Sequence, residues 1–437
     1  MDLYKILKQI DYERLTGSAG EKKARTVFKG YLSSWGLSFT EHEFDLHTFE
    51  TGSSEVIVST ASLLLKSEVF KASLPEKTNP FTAFKALPLG LVKTSEVKGE
   101  LFFMENCEQI FCQKGMFKGK IILTNTRSPK LADRLKEEEV AGIVYISQPY
   151  KELMATNLRQ KSYEEGAVPA VYVSYEDARE ISKLCGEEIT IKIDQKVKKK
   201  KGTNLIVDIP GTGLDKTLTC ICAHYDSVAT SAGTCDNGAG SVIILKIAEY
   251  FSKNPPLRDL RIIFFSGEEM GLLGSWAYTN DFKEELKKRV GLLINVDVSG
   301  DDLGVDSFDT IGSNEILGYV DGVFKEEGLV FKKKIDIYSS DGIPFSAIEI
   351  PSINLQRWGG SSSFHIHTCN DTVEKITQRG LETTFNATKI LCERLLNAKI
   401  YPVKPAIDQS LKDKIEEYIF MSTKQEPKLD WKKKYDK

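Results

Sequence analysis

Ala223-His224-Tyr225-Asp226, Thr234-Cys235-Asp236-Asn237-Gly238-Ala239-Gly240 and Phe264-Phe265-Ser266-Gly267-Glu268-Glu269-Met270-Gly271 are the stretches around which the chain is organised. Two of them close apolar runs: Leu218 to Ala223 precedes the histidine, and Leu260 to Phe265 precedes the glutamates. Runs of that length and β-branched content read as buried strands, so the polar groups fall at strand carboxyl ends. In an open α/β sheet, ligands bind along that edge. Two further polar groups belong with these, at Asp297 and His367.

Outward from this region, strand and helix patterns alternate. Asn204 to Ile209 reads as a strand, Gly238 to Tyr250 as a helix, and Leu292 to Val296 and Ser352 to Leu355 as further strands. The helix-like stretches Leu272 to Tyr278 and Ile316 to Phe324 lie among them, and a last helix is expected from about Val373 to Asn397. Such alternation predicts an α/β fold with a mostly parallel mixed sheet and helices on both faces. The region 46–201 differs: short strand runs such as Val56 to Val58, Ile121 to Leu123, Gly142 to Ile146 and Ala170 to Val173 follow one another with brief helices. It is expected to be a smaller β-rich α/β domain closed by a solvated linker, Lys198 to Lys201. Near the start, Ser18 and Glu21 form a capping-box pattern ahead of Ala24, Val27, Phe28, Tyr31 and Leu32 at helical spacing. That helix has no sheet nearby to cover.

Composition bounds the function classes. At 437 residues more than one core is expected. Hydrophobic content of 41% with 28% charged residues is that of an ordinary globular chain. A net charge of −3 gives no global field for nucleic acid or a membrane surface. The first residues carry no signal-peptide pattern and no run has transmembrane length, so a cytoplasmic location is expected. Eight dispersed cysteines do not make a disulfide framework. Cys107 and Cys112 resemble half a metal site, with no second half.

The chemistry lies in the histidines and carboxylates. Only five histidines occur, and His224, His365 and His367 sit in polar junctions beside acidic residues. His224 and Asp226 are two apart, so on extended backbone they share a side. One can bind a metal while the other fixes its ring. Asp236 sits in a glycine-rich turn feeding a helix, a place for a bridging carboxylate. Adjacent Glu268 and Glu269 point in different directions, which suits one as ligand and one as base. Each signal alone is weak: a lone His-x-Asp is usually structural, a Glu pair is usually solvated, and Asp297, Asp341 and His367 each have an ordinary turn or surface reading. Their occurrence at successive strand ends makes coincidence improbable.

With these stretches quoted, the sequence resembles peptidase family M28, the co-catalytic dizinc aminopeptidases. The resemblance rests on His224-Tyr225-Asp226, Asp236 to Gly240, Ser266 to Glu269, Asn295-Val296-Asp297 and His367 to Asp371. Lys118 to Leu123, Ala141 to Val144 and Val168 to Val173 resemble an inserted protease-associated (PA) domain. The implied division is 1–45 and 202–400 for the catalytic domain, 46–201 for the insertion and 401–437 for a tail. The resemblance implies His224, Asp236 and Asp297 on one zinc and Asp236, Glu269 and His367 on the other, with manganese or cobalt as substitutes. It also implies Glu268 as general base and Asp226 as the residue orienting His224, acting on peptide substrates.

The sequence departs from the family in places. Ile366 precedes the last histidine, where several aminopeptidases have a tyrosine that stabilises the tetrahedral intermediate; Tyr225, Tyr338 or His365 are substitutes, with Tyr338 carried forward as substrate-binding. Gly342 follows Asp341 where a histidine is frequent. Arg357 is a candidate for reading a substrate carboxylate or carbonyl, with a structural ion pair as its ordinary reading; it, or a lysine of the inserted domain, keeps a carboxypeptidase or acidic-dipeptide hydrolase as an alternative. A non-catalytic binding protein is a third expectation. Cys235 and Cys369 flank ligand positions and raise the expectation of an oxidation-sensitive pair, against one of inert thiols. Oligomeric state is not legible.

Overall fold

The computed structural model describes residues 2–66, 79–107, 110, 115–213 and 215–423. Cys112 and the basic end of the tail, 424–437, lie outside the described residues. In chain order the strands are β1 (Thr40–Ser59), β2 (Phe81–Pro88), β3 (Ser95–Phe103), β4 (Ile121–Thr124), β5 (Gly142–Ile146), β6 (Ala170–Val173) and β7 (Glu188–Ile209). They continue with β8 (Leu218–His224), β9 (Asp259–Phe265), β10 (Val290–Val296), β11 (Val305–Ile311), β12 (Lys332–Ile335) and β13 (Ser352–Trp358). Two compact units result: Met1–Leu46 with Lys200–Lys437, and His47–Lys199.

The unit His47–Lys199 has parallel strands β3, β4, β5 and β6 side by side, with β2 antiparallel on β6 and the first half of β7 antiparallel on β3. Its core gathers Val56, Leu101, Ile121, Leu123, Val144, Val171 and Ile191. The short apolar runs are its central strands. β4 and β6 are buried along their whole length, and β5 at every residue but Ile146.

In the other unit, β9, β8, β10 and β13 are parallel neighbours, β11 is antiparallel on β13, and the end of β7 is antiparallel on β9. β8 and β10 are buried at every residue, as expected of strands covered on both faces. Ile221, Ala223, Ile262, Phe264, Ile294 and Val296 point into one core with the helices Ala239–Lys253 and Gln378–Asn397. Cys220, Cys222, Ile263, Phe265 and Leu293 point the other way, toward Tyr278, Leu286 and Phe345.

The helix Ala19–Ser34 finds its partner here. Phe28 stacks on Phe264 with ring centroids 5.0 Å apart. Its cap differs from the expected box. Ser18 Oγ accepts the Glu21 N–H, but the Glu21 carboxylate accepts from Gly17 N–H, Ser266 Oγ–H and Tyr225 O–H. That carboxylate joins the helix to β8 and β9.

Two expectations are corrected. Lys198 to Lys201 is not a linker but part of β7, with its lysines exposed and Lys201 Nζ 2.8 Å from Glu43. Lysine is a poor strand former alone, yet paired backbone and nearby carboxylates accommodate it. The segment after Tyr401 is also more than a tail. Gln409–Thr423 is a helix whose Leu411 and Ile415 are buried against Leu272, Ile311 and Ile343. Among the described residues no helix is long and apolar enough to cross a membrane.

Candidate metal centre

His224 is the last residue of β8, Glu268 and Glu269 follow β9 and Asp297 follows β10, so three adjacent parallel strands deliver them to one edge. Strand register sets their level: His224 pairs with Phe265, and Cys222 with Asn295, which puts Asp297 beside His224. Asp236 comes from the irregular turn Thr234–Gly238 that opens the helix Ala239–Lys253. Asn237 ties this turn to β10 by donating to the Val296 carbonyl at 2.8 Å, and its Oδ1 accepts Gly240 N–H. A Cβ on Gly240 would lie 2.4 Å from the Val296 oxygen, so only glycine fits.

The two carboxylate oxygens of Asp236 face different imidazoles. Oδ1 is 3.1 Å from His224 Nε2, and Oδ2 is 3.3 Å from His367 Nε2. Asp297 Oδ1 lies 3.4 Å from His224 Nε2, and Glu269 Oε2 lies 3.1 Å from His367 Nε2. Glu268 Oε2 stands back at 4.0 Å from His224. His224, Asp236 and Glu269 offer ligand atoms within 4.8 Å of one another.

Neighbouring groups fix this arrangement. His224 Nδ1 faces the Asp226 backbone oxygen at 3.3 Å and its carboxylate at 3.5 Å, which leaves Nε2 to the cluster. Asp226 also accepts the N–H groups of Glu268 and Glu269, each at 3.3 Å, so one carboxylate sets three of these residues. Asp371 accepts the N–H groups of Cys235 and Asp236 at 2.7 and 3.1 Å. Backbone strain sits at the same place. His367 has φ of 63°, and Val298, β-branched and next to Asp297, has φ of 61°.

The electrostatics show what the cluster lacks. Burial disfavours a charged imidazole, but the neighbouring carboxylates of Glu268, Asp226, Asp236 and Asp297 outweigh it and hold His224 well above its ordinary value. His367 is raised likewise, with burial opposed by Glu269 and Asp236. Burial pushes Glu268, Glu269 and Asp297 up; Asp236 resists burial and stays low through its two imidazoles. Asp297 Oδ1 is buried without a hydrogen-bond donor. Three carboxylates and two imidazoles of this kind, short of positive charge, fit a pair of divalent ions sharing Asp236.

The remaining candidates divide. Burial, and then the charge of Asp297, Asp236 and Glu268, raise Tyr338, so its phenol lies within electrostatic reach of the cluster. Tyr225 does not: its hydroxyl binds the Thr203 carbonyl and Glu21 inside the core. His365 packs edge-on against Phe364. Arg357 is engaged elsewhere, donating to the Asp301 and Asp302 carbonyls and pairing with Asp306 at 2.8 Å. Its guanidinium is a structural clamp rather than a substrate reader. Cys235 is buried, Cys369 is exposed, and both are free thiols. Asp371, the last residue of the quoted stretch His367 to Asp371, is given no role in holding Asp236 by the sequence reading.

The sequence profile of peptidase family M28 matches residues 204–390, which hold all five candidate ligands and Glu268. Residues 204–390 form a peptidase family M28 domain. The chain is 28% identical to aminopeptidase YwaD of Bacillus subtilis strain 168 over 61% of its own length. It is 31% identical to an aminopeptidase of Pseudomonas aeruginosa over 32%. It spans 60% of the length of the first relative and 26% of the second. In fold it is similar to BSAP, a zinc aminopeptidase from Bacillus subtilis, at a TM-score of 0.71 and 19% identity, covering 94% of this chain and 98% of that one. A peptidase M28 precursor from Shewanella amazonensis is similar at a TM-score of 0.74 and 20% identity, covering 93% and 96%.

Proposed function

We propose that this chain is a dizinc aminopeptidase that hydrolyses N-terminal residues from peptides. One observation carries the proposal: Asp236 turns one oxygen to His224 and the other to His367, with Asp297 and Glu269 completing the two sides. His224, Asp236 and Asp297 would hold one ion, and Asp236, Glu269 and His367 the other. Bound zinc supplies a water of lowered pKa and a Lewis acid for the scissile carbonyl. Manganese or cobalt are acceptable substitutes in so carboxylate-rich a set.

The chain's own groups do the rest. Glu268 takes the proton of the attacking water and returns it to the leaving amine; its distance from His224 keeps it out of the ligand set. Asp226 holds His224 and the Glu268–Glu269 backbone in place. Tyr338, whose phenol feels the charge of Asp297, Asp236 and Glu268, would serve to stabilise developing oxyanion charge. The acidic cluster attracts the free α-ammonium of a substrate, which disfavours internal peptide bonds. Of the cations a carboxyl-end specificity would draw on, Arg357 is already paired with Asp306.

The unit His47–Lys199 is assigned as a PA-like insertion on its β-rich parallel core, and the location as cytoplasmic. Dialysis against a chelator should abolish hydrolysis of unblocked aminoacyl chromogenic substrates, and added zinc should restore it. Turnover that survives complete metal removal contradicts the proposal.

A further inference from the structure

Arg14 and Arg258 are among the largest fully buried side chains, and Arg14 lies under the acidic edge. Its guanidinium donates to the carbonyls of Tyr225 at 2.6 Å, Gly233 at 2.8 Å, Ile10 at 2.7 Å and Tyr12 at 3.2 Å, and to that of Ala232. Every one of these acceptors is backbone oxygen. The acidic groups around it are Asp371, Asp226 and Asp11.

The placement of those carbonyls matters. Tyr225 follows His224, and Gly233 precedes Asp236 by three residues. Between them the chain has no regular helix or strand. One planar fork therefore gathers both ends of the loop that separates two ligands, and fixes the 3.1 Å approach of His224 to Asp236. The backbone of Arg14 reinforces this by donating to Ser227 Oγ at 2.9 Å. Its neighbours grip the same loop: Asp11 accepts from Thr234 Oγ1 at 2.8 Å, Glu13 accepts the Thr230 N–H at 2.6 Å, and Thr16 donates to Asp226 at 3.0 Å. A Cβ on Gly233 or Gly238 would sit 3.5 or 3.3 Å from the guanidinium, so the turn wraps closely around it.

We propose that Arg14 is the positioning residue of the metal centre, stapling the two ends of the loop Tyr225–Gly233 so that His224 and Asp236 meet in the geometry an ion requires. This rests on the dizinc assignment above. Lysine keeps the charge but has no fork, so it cannot hold carbonyls at both loop ends.

The test compares the full-length wild type with Arg14→Lys, Ser227→Ala and Arg258→Lys. Arg258 is equally buried but binds Asp215 and the Lys399 carbonyl beside the opposite, N-terminal end of β9. Zinc affinity is read by competition with a chromophoric chelator, together with melting temperature and the split between kcat and KM. R14K is expected to bind zinc about 10–100-fold more weakly, with S227A weakened in the same direction and R258K losing stability alone. Wild-type zinc affinity in R14K overturns the proposal, as does an equal loss in R258K. If R14K does not fold, S227A decides: unchanged zinc affinity there overturns it. A wild-type chain that binds no zinc contradicts the metal assignment itself, a result distinct from two tightly held ions in R14K.

Discussion

At the scale of single residues, position separates Glu268 from Glu269. The two are adjacent in sequence, yet Glu269 reaches 3.1 Å from His367 while Glu268 stays 4.0 Å from His224. Glu268→Gln should therefore keep both zinc ions and lose about 10²–10⁴-fold in kcat, measured with metal content and rates on the same sample. A variant that loses zinc would make Glu268 a ligand instead. Asp236 is the opposite case. Asp236→Ala removes the group shared between both sides, so equilibrium dialysis should find neither ion held at wild-type affinity; loss of one ion with the other unaffected would contradict bridging.

Elements explain which of these features the sequence made legible. A polar group that ends an apolar strand is visible locally, so His224, Glu268, Glu269 and Asp297 could be read without coordinates. Asp371 and Arg14 could not. Asp371 acts on Asp236 across 135 residues, and Arg14 on Tyr225 across 211, so no window contains both partners. Arg357 reads locally either as a substrate reader or as half of an ion pair, and its partner Asp306, on the neighbouring β11, decides for the ion pair. The helix Gln409–Thr423 was missed because lysines and glutamates dilute its apolar stripe of Leu411, Ile415 and Ile419. Ile415 is buried on that stripe. Ile415→Ala should destabilise the unit by about 2–5 kcal/mol, seen as a lower urea midpoint with zinc affinity unchanged. An unchanged midpoint would mean that the helix does not contribute to the fold.

Over the whole molecule, the acidic edge ties stability to pH and metal. Burial lifts Asp341 and Asp371 to about 7, and carboxylates outweigh burial to lift His224 and His367. In each case the folded, metal-free chain binds more protons than the unfolded chain, so stability falls as pH rises. The carboxyl groups lose their contribution from their unfolded values up to about pH 7, and the imidazoles lose theirs as pH climbs through their raised values. Asp236 is held low and titrates below this window. Chelated protein should thus melt at progressively lower temperature from about pH 6 to 8, while the stabilisation by added zinc grows, because ligands must be deprotonated to bind. A chelated melting temperature that rises over that range would contradict the charge balance described here.

The most direct measurement is a zinc titration into chelated protein, following hydrolysis of an unblocked aminoacyl panel beside the same peptides N-acetylated. Activity on the free-amine series should appear as zinc is added and saturate at two equivalents per chain, while the acetylated series stays uncut. Cleavage of acetylated peptides, or full activity without zinc, would contradict a dizinc aminopeptidase.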